Sequence, residues 1–305
     1  MKPIRIATRG SALALAQTRQ AGEAIAPVFP GRAMEIVPIE TRGDRIAGPL
    51  AAEGGKGLFT AELESALRGG ALDLAVHSAK DLPADMAADL TIAAVLPRAD
   101  VRDALLSRAG PLEQLPARAK VGTSSLRRTA LLRSARADLE ISHLRGNVDT
   151  RIKKILGEQA DFDATVLAMA GLQRGGWLEK LASRVHPLPA DVFIPAAGQG
   201  TLVLQTRASD AELIESLRAI CHVETFQSLQ AERSVLRRLG ANCHSCLAVH
   251  VFADSQTFRA RAMAARPDGS DLIRAEAQGP AAQSAADALA EALLKAGAKE
   301  RLGTT

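Results

Sequence analysis

The sequence KVGTSSLRRTALLRSA, residues 120–135, changes within a few positions from an apolar strand pattern to a helical one. EISHLRGNVDTR at 140–151 repeats the change, again with arginine soon after the strand. A helix start carries unpaired N–H groups and the positive end of the helix dipole, so arginines added there suit several anionic oxygens. The two junctions therefore predict a site for a small ligand with more than one negative group.

The same alternation of strand and helix extends outward through most of the chain. Short strands are predicted at 4–8, 35–39, 72–77, 91–96, 104–107, 120–122, 140–142 and 164–168, with helices at 11–26, 58–68, 125–136 and 147–157, and a glycine-rich loop at 41–57. This pattern predicts an α/β fold with mainly parallel sheets. Ligands of such sheets lie beyond the carboxyl ends of the strands, where both basic junctions and HSAKD at 77–81 fall. We therefore expect one site between two α/β halves.

The last third of the chain has a different pattern. A long helix is predicted at 224–239, followed by the loop ANCHSC, strands at 248–253, 257–265 and 272–278, and an alanine-rich amphipathic helix at 281–296. This order predicts a small C-terminal α+β domain.

Composition limits the class of protein. The 305 residues are 47% hydrophobic and 24% charged, which is typical of a multidomain soluble protein. MKPIRIATRG leads directly into a predicted strand, and no stretch reaches about 18 uninterrupted apolar residues, so we expect neither a secretion signal nor a membrane span. A cytoplasmic protein with reduced thiols is the expectation.

The positive charge is concentrated in the middle of the chain. The formal net charge is +4, and residues 98–195 contain sixteen Lys and Arg against eleven Asp and Glu. Binding to single-stranded nucleic acid usually needs aromatic platforms, but the chain has no Tyr, one Trp and seven Phe. We therefore expect no nucleic-acid partner.

Other chemical motifs have competing interpretations. CHSC at 243–246 lacks the second ligand pair of a structural zinc site, so no metal is predicted, and a surface thiol beside a buried cysteine is favoured. His77, Ser78 and Asp81 lie too close in sequence for a catalytic triad. Asp81 alone could bind or protonate a cationic amine, or could cap a turn. The arginines of the two junctions could likewise be no more than a solvated helix face, without a ligand.

Nine segments taken in order resemble the porphobilinogen deaminase family, also called hydroxymethylbilane synthases. They are RIATRGSALALAQ (5–17), TRGD (41–44), GGKGLF (54–59), AVHSAKDLP (75–83), VGTSSLRR (121–128), LRGNVDTR (144–151), LAMAGLQR (167–174), PAAGQG (195–200) and the cysteine loop. The resemblance covers nearly the whole chain. The combination of HSAKDLP, GTSSLRR and LRGN is specific.

The resemblance implies a three-domain fold. It has two domains of the periplasmic-binding-protein type (type II), at 1–97 with 197–217 and at 98–196, and a small α+β domain at 218–305. The implied activity is a transferase that adds porphobilinogen units, with loss of ammonia, to one covalently bound dipyrromethane and so makes the linear tetrapyrrole hydroxymethylbilane for haem biosynthesis. A cytoplasmic monomer is implied as well. Each pyrrole bears an acetate and a propionate, which arginine forks bind well.

Residue roles follow from the same resemblance. It implies that Asp81 assists loss of ammonia and stabilises the resulting cation, that Cys243 carries the cofactor by a thioether, and that Lys56 lies on a mobile loop. The other residues matched to cofactor and substrate binding are Arg9, Ser11, Ser78, Lys80, Thr123, Ser124, Ser125, Arg127, Arg128, Arg145, Gly146, Arg151, Arg174 and Gln199. Cys246 stands where the family usually has proline, so it is a competing thiol.

A second hypothesis involves no catalysis. A non-catalytic, two-lobed small-anion-binding protein would use the same arginines but would need neither Asp81 nor Cys243.

Overall fold

The computed structural model describes residues 2–45, 58–158, 160–242 and 245–304. In chain order, the strands are β1 (Ile4–Arg9), β2 (Met34–Ile39), β3 (Leu74–Ser78), β4 (Leu90–Val95), β5 (Asp103–Ser107), β6 (Lys120–Gly122), β7 (Glu140–Ser142), β8 (Ala164–Ala168), β9 (Val185–Pro187), β10 (Leu202–Arg207), β11 (Leu247–Asp254), β12 (Thr257–Ala264) and β13 (Ile273–Gly279).

The helices follow the same chain order. They are α1 (Ala12–Ile25), α2 (Arg42–Arg45), α3 (Ala61–Arg68), α4 (Leu126–Ala135), α5 (Val148–Leu156), α6 (Met169–Arg174), α7 (Leu178–Leu181), α8 (Ala211–Arg218), α9 (Val223–Arg238), α10 (Ala282–Lys295) and α11 (Ala298–Leu302).

The chain folds into two compact units. The first comprises Met1–Ala99 and Thr201–Leu229, and the second comprises Asp100–Gly200 and Gln230–Thr305. The second unit contains both a five-stranded sheet and the C-terminal three-stranded sheet. The division into three domains at the boundaries predicted from the sequence stays a prediction.

The five-stranded sheets of the two units have the same topology. Their strand orders are β2-β1-β3-β10-β4 and β7-β6-β8-β5-β9. In each sheet, four strands run in one direction and one runs against them, β10 in the first unit and β5 in the second. The reversed strand is the first to follow the passage into the second unit after Ala99 and the passage back into the first unit after Gly200. This repeated order confirms the predicted pair of type II periplasmic-binding-protein-like folds.

Apolar residues of the strands and helices form the core of the second unit. Leu131 and Leu132 of α4 pack in one buried cluster with Val121 of β6 and Val166 of β8. Met263 of the C-terminal sheet belongs to the same cluster, so the two sheets of this unit share a core. Removing such a Leu side chain usually costs about 2–5 kcal/mol.

The C-terminal part is an antiparallel sheet covered by one helix. Strands β11, β12 and β13 pair in that order. The alanine-rich face of α10, including Ala286 and Leu289, is buried against Val249 and Ala262. Alanine keeps the helix close to the sheet, and the predicted α+β domain is confirmed.

One prediction about local structure was wrong, and two strands were not predicted. Residues 42–45 were predicted as loop but form α2, because the Asp44 carboxylate accepts hydrogen bonds from Thr41 N at 3.2 Å and Thr41 Oγ1 at 2.7 Å. Residues 46–57, the rest of that predicted loop, lie outside the described residues. Strands β9 and β10 were not predicted from the sequence, and β10 is one of the two reversed strands. No helix among the described residues is long and apolar enough to span a membrane.

Candidate functional site

The candidate site of the second unit lies where several strand ends meet. Strands β6, β7 and β8 are parallel neighbours, so their carboxyl ends lie at one edge of the sheet. The reversed β5 starts at this edge, because Asp103 pairs with Ala168 at the end of β8. The two basic junctions and Asp103 are therefore brought together.

The hydroxyl residues of the first junction hold the loops in place. Ser125 is the N-cap of α4, and its Oγ accepts from Arg128 N at 3.4 Å. Thr123 Oγ1 accepts from Ser125 N at 3.2 Å. Ser124 Oγ donates to the carbonyl oxygen of Leu144 at 2.7 Å, which ties this junction to the second one. These three residues position the loops that carry the arginines.

Arg127 and Arg128 are buried and share one carboxylate. Arg127 Nη2 donates to Asp103 Oδ2 at 2.8 Å, and Arg128 Nη2 donates to Asp103 Oδ1 at 2.7 Å. Arg127 Nη1 also donates to the Ile194 carbonyl, and Arg128 Nη1 donates to the Val166 carbonyl. The arginines are 5% and 7% exposed, and Asp103 is 0% exposed, so a merely solvated helix face is excluded.

Asp103 was not singled out by the sequence analysis. The available signal was a charged residue beginning the apolar strand DALLS at 103–107. Burial alone would raise the pKa of Asp103, but the guanidinium groups of Arg127 and Arg128 hold it well below its usual value. Asp103 is therefore ionised at neutral pH.

Gln199 and Arg174 lie beside this cluster. Gln199 Nε2 donates to Asp103 Oδ1 at 2.9 Å and to the Val101 carbonyl at 2.8 Å. Arg174 Nη2 donates to the Gly200 carbonyl at 2.8 Å, and burial lowers the pKa of Arg174 to about 10. Gln199 therefore fixes the Asp103 carboxylate, and Arg174 remains charged at neutral pH.

Positive charge at this edge exceeds the carboxylate that balances it. Burial, with the nearby charges of Arg128 and Arg145, lowers the pKa of Arg151 to about 10. Arg151 Nε donates to the Gly146 carbonyl at 2.9 Å. Nη1 of Arg145 is buried and has no hydrogen-bond partner among the described residues. A buried unpaired donor is costly, so this group points to an anionic ligand.

Gly146 is required by the backbone of the second junction. Its φ is +113°, in the range that disfavours side chains, and an added Cβ would lie 2.7 Å from Thr150 Cγ2. Asn147 then caps α5, its Oδ1 accepting from Thr150 N at 2.9 Å. The glycine thus allows Arg145 to precede a tightly capped helix.

The first unit has its own set of predicted residues at the carboxyl ends of β1 and β3. Arg9 is the last residue of β1 and forms a salt bridge with Asp44. Its Cζ lies 4.2 Å from the centre of the Phe59 ring. Burial would raise the pKa of Asp44, but hydrogen bonds from Arg9 and Thr41 lower it. Ser11 caps α1, its Oγ accepting from Ala14 N at 3.3 Å. Arg9 is therefore fixed in place by an ionised carboxylate.

Ser78, Lys80 and Asp81 follow the end of β3. Ser78 Oγ accepts a hydrogen bond from Gln17 Nε2 at 3.2 Å. Lys80 and Asp81 lie in a single 3₁₀ turn, Ala79–Asp81, and both are half-buried. Because β1 and β3 are parallel neighbours, Asp81 lies at the same sheet edge as Arg9. The first unit therefore presents both a carboxylate and a guanidinium at this edge.

His77 precedes this segment and is uncharged at neutral pH. Burial, with the charge of Arg9, lowers its pKa to about 4, although its hydrogen bond to Gln205 opposes the shift. Its Nε2 lies 2.8 Å from Gln205 Oε1. His77 is therefore a neutral core residue.

Two predicted functional residues, Cys243 and Lys56, lie outside the described residues. Cys246 is 2% exposed, and its Sγ donates to the Leu126 carbonyl at 3.3 Å. Burial raises the pKa of this thiol to about 11. Since the thiolate is the reactive form, Cys246 is a poor competitor for covalent attachment at neutral pH.

Comparison with known proteins gives the family. The model "Porphobilinogen deaminase, dipyromethane cofactor binding domain" matches residues 4–215, and "Porphobilinogen deaminase, C-terminal domain" matches residues 226–295. This chain belongs to the porphobilinogen deaminase family. The first matched region contains both sheet edges described above, so the predicted family is confirmed on the part of the chain that carries them.

Curated porphobilinogen deaminases match over nearly their full length. The protein from Syntrophus aciditrophicus (strain SB) is 45% identical over 302 residues, covering 97% of this chain and 96% of the relative. The protein from Syntrophotalea carbinolica is 43% identical over 299 residues, covering 97% of this chain and 93% of the relative.

Among solved structures, the periplasmic aliphatic sulphonate binding protein SsuA from Escherichia coli has a TM-score of 0.39 at 16% identity, covering 77% of this chain and 70% of that one.

The dipyrromethane of porphobilinogen deaminases fits the chemistry of the second unit. A group that carries carboxylates would supply an acceptor for the unpaired Nη1 of Arg145 and would balance the excess guanidinium charge. The cofactor predicted from the resemblance is thus the one for which the matched family domain is named.

Proposed function

We propose that this chain is a porphobilinogen deaminase that releases ammonia from porphobilinogen and joins the pyrroles, head to tail, into hydroxymethylbilane for tetrapyrrole biosynthesis. The observation that carries the proposal is the excess of buried guanidinium charge at the sheet edge of the second unit, within a family whose cofactor and substrate carry carboxylates. When bound, the dipyrromethane supplies the pyrrole carbon that receives the first substrate unit.

The arginines bind and orient carboxylates. Arg145 and Arg151 donate to acetate or propionate groups, and Arg127 and Arg128 supply further N–H donors beside them. Each charge-assisted hydrogen bond to a carboxylate contributes about 1.5–3 kcal/mol. Thr123, Ser124, Ser125 and Gly146 hold the loops from which these side chains project, and Arg9, Ser11, Ser78, Lys80, Arg174 and Gln199 complete the binding set.

Asp81 acts on the positive charge of the substrate. Its carboxyl group assists protonation of the departing amine and then stabilises the cation left on the pyrrole. Cys243 is the attachment residue, and burial of the Cys246 thiol supports this choice. Lys56 is assigned to the loop near the substrate, on the resemblance of GGKGLF alone.

The remaining proposals concern localisation, oligomeric state, partners and domain boundaries. We propose a cytoplasmic monomer with no nucleic-acid partner, arranged as domains at 1–97 with 197–217, 98–196 and 218–305. The two-lobed anion-binding protein is not favoured by the family match, and a test of Asp81 separates the two.

Ammonia release from porphobilinogen by Asp81→Asn tests the proposal. Loss of a general acid usually costs about 10²–10⁴ in rate, so kcat should fall by at least about 100-fold while attached cofactor is retained. Asp85→Asn is the matched control, because Asp85 is an exposed acid four residues further along the same segment. Near-normal turnover by Asp81→Asn would remove Asp81 from catalysis, and a wild-type protein that releases no ammonia would favour the binding protein.

A further inference from the structure

Asp103 is the carboxylate that holds the two buried arginines of the second unit. It accepts from both Arg127 and Arg128, the second through two donors, with Arg128 Nε at 3.3 Å from Oδ2 and Arg128 Nη2 at 2.7 Å from Oδ1. Gln199 Nε2 donates to the same Oδ1. All four side chains are at least nine-tenths buried. The orientation of each guanidinium group is therefore fixed through this one carboxylate.

The charges of this cluster do not cancel. One carboxylate faces two guanidinium groups, and burial leaves little water to screen the difference. Arg151 adds to the excess, since the charge of Arg128 contributes to lowering its pKa. The cluster thus retains about one positive charge.

The guanidinium groups also keep donors for a ligand. A guanidinium has five N–H donors, and the internal bonds described above use two of Arg127 and three of Arg128. The bonds to Asp103, Ile194 and Val166 fix the planes of the two groups before any ligand binds. A preorganised donor set binds its ligand more tightly because less side-chain freedom is lost.

We propose that Asp103 is a positioning residue for ligand carboxylates: it orients Arg127 and Arg128 and neutralises only one of their two charges, which leaves the pair selective for a further anion. This inference rests on the proposed function only for the identity of that anion, which would be a carboxylate of the pyrrole chain. Asp103 itself touches no reacting atom in this account.

The test compares Asp103→Asn with Asp100→Asn in the full-length Cys243→Ala protein, which lacks the attachment thiol. Asp100 is the matched control, because it is a partly exposed aspartate paired with Arg102 at 2.6 Å, three residues before Asp103. Thermal unfolding is measured in chloride and with increasing inorganic phosphate at constant ionic strength. Phosphate serves as the probe anion.

Asp103→Asn should lower the Tm in chloride by about 10 °C, because removing one partner of a buried ion pair leaves the other charge uncompensated. Phosphate should then raise the Tm of this variant at least twofold more than that of the parent, since the gain from a second unbalanced guanidinium charge exceeds the loss of orientation. Asp100→Asn should respond like the parent. Equal phosphate responses of Asp103→Asn and the parent would overturn the proposal, because the net charge left on Arg127 and Arg128 would then not determine anion binding.

Asp103→Glu keeps the charge but moves the carboxylate, and it decides the question if Asp103→Asn fails to fold. With Cys243 and its cofactor present, its KM for porphobilinogen should rise about tenfold with kcat changed less than threefold. An unchanged KM, or a fall confined to kcat, would overturn the proposal. The phosphate titration needs no turnover, so a chain that binds phosphate as expected but releases no ammonia would lose the proposed function and keep this inference.

Discussion

The buried side chain of Arg145 is the single residue that most clearly indicates a ligand in the second unit. Its Nη1 is buried without a hydrogen-bond partner among the described residues, and its charge contributes to lowering the pKa of Arg151. A buried donor without a partner costs about 1–3 kcal/mol, which a bound carboxylate would recover. The protein therefore holds Arg145 in a conformation that is unfavourable until an anion binds.

Arg145→Gln should weaken binding of porphobilinogen more than it slows the chemistry. Loss of one charge-assisted bond of about 1.5–3 kcal/mol corresponds to a rise in KM of about 10- to 100-fold. Steady-state kinetics of ammonia release measure both constants. Lys153→Gln removes an exposed positive charge from the neighbouring helix and should leave KM unchanged. A KM for Arg145→Gln within twofold of wild type would argue against a role in binding the carboxylates.

The arginines of the second unit could be located from the sequence, but Asp103, their internal partner, could not. GTSSLRR and LRGN indicated an anion site because cations at helix starts have a local signature. Asp103 lies 24 residues before Arg127, and only the sheet topology brings the two together. A long-range ion pair of this kind leaves no periodic pattern, so the burial of Arg127 and Arg128 could not be predicted.

The reversed strands explain how each unit forms its site edge. Strand β5 runs against β8, so its first residue lies beside the last residue of β8. In the first unit, β10 runs against β3 and pairs Leu202 with Ser78. The parallel strands can be identified in the sequence by their alternation with helices. Strand β10 gives no such signal, because it follows the glycine-rich PAAGQG without a helical pattern before it.

The buried His77 of strand β3 should make the stability of the protein depend on pH. Because burial lowers the pKa of His77 to about 4, the unfolded chain binds a proton below about pH 6.5, whereas the folded chain does not bind it until the pH approaches 4. The stability contributed by neutral His77 is therefore fully present above about pH 6.5 and is lost as the pH falls toward 4. The loss should approach about 3 kcal/mol.

His77→Gln should remove this part of the pH dependence. The glutamine side chain can still bond to Gln205 but cannot take up a proton in this range. Urea unfolding at pH 7 and at pH 4.5 measures the difference in free energy of unfolding for each protein. If wild type and His77→Gln lose the same free energy over that interval, the neutral buried state of His77 is wrong.

At the scale of the whole molecule, two units repeat one strand order, and each presents chemically different residues at its site edge. The first unit provides Asp81, and the second provides the excess of guanidinium groups. This division suits a reaction in which a cation forms on a substrate that carries carboxylates. The fold class, the C-terminal α+β part and the family could be predicted from the sequence, because each leaves local motifs or periodic patterns.

The mass of the intact purified protein decides whether this chain carries a covalent cofactor on Cys243. We expect the wild-type chain to be heavier than its sequence by one dipyrromethane, and Cys243→Ala to have the unmodified mass. Cys246→Ser should keep the added mass, because the buried Cys246 thiol is not the attachment site. A wild-type chain of unmodified mass that is inactive with porphobilinogen would contradict the proposed function, and an added mass that persists in Cys243→Ala would contradict attachment at Cys243.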